Sequence, residues 1–148
     1  MAAVTAHKGI VGLRTMVRGY EAHSSQTHRG VSAVMTAARL VSHLERVAED
    51  LTEMTPSDNG FEPHATSVHV GVIHGGTALN IISGQCEFTW DIRNIPGDDP
   101  QVLIDNFEDF CRREVLPGMR ARHEACSIDT TVLARCPATD DSESSILS

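Results

Sequence analysis

Residues 85–93 read Gln85-Cys-Glu-Phe-Thr-Trp-Asp-Ile-Arg93. In an extended chain Cys86, Phe88, Trp90 and Ile92 share one side, and Glu87, Thr89, Asp91 and Arg93 share the other. That period of two predicts a strand with one apolar and one wet face. Upstream, residues 66–73 alternate in the same way, with Val68, Val70 and Val72 opposite Ser67, His69 and Gly71. Gly75-Gly76 opens a turn between the two runs. Farther back, residues 8–20 predict a strand with Val11, Leu13 and Val17 facing away from Arg14 and Arg18. A polar, aperiodic loop, residues 21–30, follows it. From Val31 to about Glu53 the period becomes helical. Val31, Val34, Ala38, Val41, Leu44, Ala48 and Leu51 recur at steps of three and four and predict one apolar stripe. Thr55-Pro-Ser-Asp-Asn-Gly60 breaks this helix. Downstream of Arg93, Pro96-Gly-Asp-Asp-Pro100 predicts a turn and a helix start. A second helix over about 100–115 would bury Leu103, Phe107 and Phe110, and Pro117-Gly118 would end it. A fourth strand falls within 119–134.

The order is β-α-β-β-α-β. Two helices and four strands pack most economically as an α+β, ferredoxin-like sandwich: a four-stranded antiparallel sheet with both helices on one face. The open face would carry Arg14, Arg18, His69, Thr89 and Arg93. The chain of 148 residues suits one domain, residues 8–135, flanked by residues 1–7 and by a Ser- and acid-rich polar tail, residues 136–148. With 41% hydrophobic and 22% charged residues it is neither low-complexity nor collagen-like, and no apolar run approaches the length of a membrane span. A net charge of −8 repels phosphate backbones, so nucleic acid is not expected as a partner, and without an apolar run neither is a membrane. The N-terminus has no basic stretch followed by an apolar one, which reads as cytoplasmic. The four cysteines form no CxxC, and Cys86 and Cys111 fall inside apolar patterns as buried thiols.

Eight histidines invite a metal reading, but no HExxH occurs, and His64, His69 and His74 follow one another at steps of five. No GxSxG elbow marks a nucleophile. Two loops remain. His23, in Ala22-His-Ser-Ser25, lies between a strand and a helix start, where an imidazole N–H can donate to an oxyanion and the serines can hold the ring or cap the helix. The run from Gly75 to Gly84 holds a Gly-Gly turn that permits close backbone approach at Gly76, and the amide of Asn80. Beyond it Arg93 offers a planar fork suited to a carboxylate.

Lys8-Gly-Ile-Val-Gly12, Ala22-His-Ser-Ser25 with Gly30, His74-Gly-Gly-Thr77, Leu79-Asn-Ile-Ile82 and Asp91-Ile-Arg93 with Pro96-Gly97 occur in one order along the chain. Together, over roughly residues 5–135, they resemble the inserted lid or dimerisation domain of the M20 family of zinc amidohydrolases and peptidases, in its branch of acetylornithine deacetylases. The resemblance implies a homodimer joined through an edge strand and a helix. It implies that His23 acts in trans, stabilising the oxyanion in the partner's active site. It further implies that Asn80 and Gly76 help to hold the substrate and that Arg93 grips its carboxylate. It implies a parent hydrolase of arginine biosynthesis that cuts N-acetyl-ornithine, or a similar N-acyl amino acid, to acetate and the amino acid. The zinc, or cobalt, would sit in a separate catalytic domain. This chain lacks that domain's ligand motifs, so it would bind no metal and hydrolyse nothing alone. Residues 1–7 and 136–148 would then be stubs of the two crossings. The chain departs from the family at Gln26-Thr27, where proline is common, at Ser32-Ala33, where Asn-Ala is common, and at Ser83, where proline is common. The other reading is a stand-alone ferredoxin-like module that binds a small anion without catalysis.

Overall fold

A computed structural model describes residues 6–139. Its elements are, in order, β1 (Gly9–Arg18), β2 (Ala22–His23), a 3-10 turn (Ser24–Arg29), α1 (Ala33–Met54), β3 (Ser67–Gly75), β4 (Ile81–Ile82), β5 (Gln85–Asn94), α2 (Pro100–Phe110), a π-helical segment (Cys111–Val115), α3 (Leu116–Arg122) and β6 (Ser127–Cys136). The four long strands form one antiparallel sheet in the order β3-β5-β1-β6, the ferredoxin-like topology, and β2 pairs with β4 as a separate ribbon. The residues 1–5 and 140–148 of the expected flanking segments lie outside the described residues. Of the remainder, His7 and Thr139 pair as an antiparallel bridge.

The alternation seen in the sequence sets the core. Val11, Leu13 and Val17 of β1 pair with Ile92, Trp90 and Cys86 of β5 on the covered face, all buried. Thr15 interrupts the apolar row without cost, because it is bonded on both sides. Trp90 Nε1–H donates to its hydroxyl (3.0 Å), and its hydroxyl meets that of Thr130 (2.9 Å). From above, Leu40, Leu44, Ile104 and Phe107 complete the cluster. Ser32 caps α1, accepting from Met35 N–H at 3.0 Å, and Asp99 caps α2, accepting from Gln101 N–H at 2.9 Å.

Three local expectations are corrected. The fully buried stripe of α1 is Ala33, Ala37, Leu40 and Leu44; it keeps the expected Leu44, with Val31 buried and Val41 packed beside it, but replaces Val34 and Ala38 by Ala33 and Ala37. Small alanines let the helix settle close to the sheet, and Val34 is left 38% exposed. In β3 the register slips between Val70 and Val72. This bulge at Gly71 places Val72 opposite Thr89, on the open face, apart from Val68 and Val70. It also brings His69 and His74 to the same face, opposite Asp91 and Glu87. Finally, Pro117-Gly118 do not end the second helix. The π-helical turn lets the helix restart at Leu116, and Pro117 occupies the first turn of α3, where a missing N–H removes no required bond.

Candidate functional site

The β2–β4 ribbon stands off the end of the sheet at which β1 finishes and β5 begins. Ala22 pairs with Ile82 and His23 with Ile81. Ser24 N–H donates to Asn80 O at 2.9 Å, so the two loops singled out in the sequence are joined by their backbones. His23 and Asn80 are both exposed there. The imidazole of His23 is oriented from within its own turn. Ser25 N–H donates to Nδ1 at 3.1 Å, and Ser25 Oγ lies 2.7 Å from the same nitrogen. A backbone N–H can only donate, so Nδ1 is the accepting nitrogen, and the proton of a neutral ring sits on Nε2. The donor that remains for an outside acceptor is therefore Nε2–H.

Behind the ribbon β3 ends at Gly75, and Gly76 follows it. Gly76 has φ +86°, a conformation that glycine adopts without strain. Gly75 packs flat on Cys86, where a Cβ would come within 2.6 Å of the Cys86 sulfur. A cleft of about 750 Å³ opens between this turn, the 3-10 turn and the start of α1, lined by Val34, Met35, Leu79, Ile82, His28 and Arg122 among others. At its lip Leu79, next to Asn80, is fully exposed.

Arg93 is not brought to this cluster. It lies near the far end of β5, opposite Ser67 and Ile10, roughly 26 Å from the start of that strand at about 3.3 Å per residue. It is exposed and 3.9 Å from Asp91. Lys8 shares that end, donating to Ala65 O at 2.8 Å. Burial lowers the Lys8 pKa, Glu62 opposes the shift, and the Arg93 charge adds to it.

A family model described as "Peptidase dimerisation domain" matches residues 5–119. The chain belongs to the peptidase M20 dimerisation domain family. An acetylornithine deacetylase of Myxococcus xanthus is 37% identical over 143 residues, which is 91% of this chain and 36% of that protein. An acetylornithine deacetylase of Pectobacterium carotovorum is 38% identical over 94 residues, 64% of this chain and 24% of that protein. The dimerisation domain thus spans about a third or less of the curated relatives it matches. Among solved structures, aminopeptidase PepT from Bacillus cereus superposes with a TM-score of 0.67 at 18% identity, over 93% of this chain and 32% of that one. A hydantoinase/carbamoylase family amidase from Burkholderia ambifaria also gives 0.67, at 23% identity, over 93% and 30%. These two likenesses show the fold.

Among the described residues of the dimerisation domain, no three His, Cys, Asp or Glu side chains gather into a set that could hold a metal ion. No described helix is long and apolar enough to cross a membrane. Cys86, Cys111 and Cys126 are buried free thiols and Cys136 is an exposed one. Burial pushes the Cys111 thiol up to about 12, which suits packing rather than chemistry. The sequence reading missed Arg122 and Tyr20. Arg122 Nη2 donates to Thr27 O at 2.6 Å, inside the turn that carries His23. Tyr20, just ahead of that turn, stacks on His123 with ring centroids 3.9 Å apart. A helix expected to stop at Pro117 leaves no reason to place residues 122 and 123 beside residues 20 and 27.

Proposed function

We propose that this chain is the dimerisation and lid domain of a metal-dependent amidohydrolase of the acetylornithine deacetylase type, and that it lends His23 to the active site of its partner. The orientation of His23 carries this reading. Ser25 engages Nδ1 and leaves Nε2–H as an exposed donor. Such a donor suits the oxyanion that forms when water adds to the amide of an N-acyl amino acid, because it acts where negative charge develops. Asn80, tied to the same turn, would hold the substrate beside it, with the backbone at Gly76 supporting that loop. Zinc or cobalt would supply the activated water; the described residues offer no ligand set for it, so the rest of a longer protein would hold it.

Action in trans agrees with the layout. The His23 turn sits at one end of the ten-residue β1, and the His7–Thr139 bridge sits at the other, roughly 30 Å away. A longer protein that continued from the bridge would lie at the opposite end of the sheet from the His23 turn. Arg93 lies at the bridge end, so its substrate carboxylate would belong to its own protomer's site. The dimer would form by two-fold pairing of the β3 edge. Ile73, Val72 and the exposed flank of α1 at Val34 make that edge apolar. The β6 edge also exposes Val132 and Leu133, but it runs beside Glu108, Arg112, Arg120 and Asp129, and no apolar helix flank adjoins it among the described residues.

The test is His23→Ala in the longer protein. Turnover should fall about 10²–10³-fold, the effect of removing one oxyanion donor, with metal content and dimer mass unchanged. Unchanged turnover would end the assignment.

A further inference from the structure

We propose that the C-terminus of α3 is a brace for the His23 turn, with Arg122 as its positioning residue. The turn Ser24–Arg29 buries none of its side chains, so the core does not fix its shape. Its backbone leaves helical geometry at Gln26 (φ −125°, ψ 59°). Its own closing bond, Gly30 N–H to Thr27 O, is long at 3.4 Å. Ser24 N–H to Asn80 O ties down the leading end. The middle is held from outside, by the charged guanidinium of Arg122 on Thr27 O at 2.6 Å. A charged donor is stronger than a neutral one, and here it acts across 95 residues of sequence.

The neighbour of Arg122 grips the base of the same loop. His123 lies flat on Tyr20, with planes 16° apart. Tyr20 exchanges two backbone hydrogen bonds with Val31, each 2.9 Å, closing the chain around the turn. His123 Nδ1 is buried without a hydrogen-bond partner among the described residues, so the stack, rather than a bond to that atom, holds the ring. The brace is itself rooted. Cys111, Val115 and Met119 are buried along the π-helical segment and α3, and they carry the core's rigidity out to Arg122. The path from core to site is then short: Met119, Arg122, Thr27, Ser25 and the His23 imidazole. π-helical turns recur at functional sites, and here one supplies the extra helical length that reaches the loop.

Only the catalytic consequence of this brace rests on the reading of His23 proposed above; the brace itself is tested in the 148-residue chain. Arg122→Gln should speed hydrogen exchange at the Ser25 and Gly30 amides about tenfold, the loss expected for one charge-assisted bond. It should also move the His23 ring nitrogens from one tautomer toward a mixture in ¹⁵N spectra. Arg122→Lys should restore part of both, and the amides of β1 and β5 should not change, which separates loosening of the turn from loss of fold. Unchanged loop exchange and unchanged ring signals in Arg122→Gln would overturn the proposal. In the longer protein Arg122→Gln should lower kcat more than it raises KM, and adding it to His23→Ala should cost nothing further. A further loss in the double variant would show that Arg122 acts by another route and would also overturn it. If the turn loosens while neither His23→Ala nor Arg122→Gln affects turnover, the brace stands and the catalytic reading of His23 fails.

Discussion

A single hydroxyl shares in setting the orientation of His23. Ser25→Ala keeps the backbone N–H on Nδ1 and removes Oγ, so the ring should loosen without losing its tautomer. Turnover of the longer protein should fall by less than in His23→Ala, about threefold to tenfold for one hydrogen bond, and steady-state kinetics would measure it. His43 gives a residue-scale prediction about stability. It stacks on Phe110 with centroids 3.6 Å apart and planes 3° apart. Burial, then the Arg46 charge, lowers its pKa from the ordinary 6.5. The folded state therefore takes up this proton less readily than the unfolded chain. The resulting penalty is absent at high pH and grows as pH falls through about 6.5. His43→Phe should flatten the fall in urea midpoint between pH 7 and pH 5; an equally steep fall would place the effect elsewhere. At this scale the sequence exposed His23, because a polar stretch without periodicity between a strand and a helix had to be a surface loop. It placed Arg93 at the end of the strand begun at Gln85, but alternation alone does not say which side of the molecule that end borders.

The strands were legible because alternation is a strict parity, and β1 and β5 keep it over ten residues each. Parity fails where the backbone adds a residue, and Gly71, the kind of residue that marks a bulge inside a strand, was read only as part of the alternation. The stripe of α1 was right at Leu44 but misplaced in its first two turns for a related reason: Ala33 and Ala37 are fully buried yet contribute little to an apolar pattern. Pro117-Gly118 read as a stop because a proline usually follows a helix end, and the widened turn before it left no sequence signal. The Gly75-Gly76 turn gives an element-scale test. Gly76→Ala should cost about 1 kcal/mol, because φ +86° strains any side chain while the new Cβ meets only Val34 Cγ2 at 3.8 Å. Gly75→Ala should cost more, since its Cβ would press on the Cys86 sulfur and, at 3.0 Å, on the Cys86 Cα. Urea unfolding of both variants checks the order, and the reverse ranking would show that the strand end yields more readily than the turn.

For the whole molecule, the decisive question is which edge meets a second copy. Ile73→Lys sets like charges against each other across a two-fold axis at β3 and should shift sedimentation from dimer to monomer; Leu133→Lys on β6 should not. The opposite pattern would move the interface to the other edge. The ferredoxin-like layout followed from element order alone, whereas the separation of His23 from Arg93 needed the sheet's actual length. One feature at the far end reaches beyond the protein to its gene. His7 and Thr139 exchange two backbone hydrogen bonds, each 3.0 Å long. A reading frame interrupted to admit residues 6–139 would get its severed ends back side by side, and the interruption would be topologically silent to such a host. Such a segment can be deleted, or traded between genes, with a turn of a few residues as the scar. On the function proposed above, what the host would lose is its contact with a second subunit and the histidine lent across it.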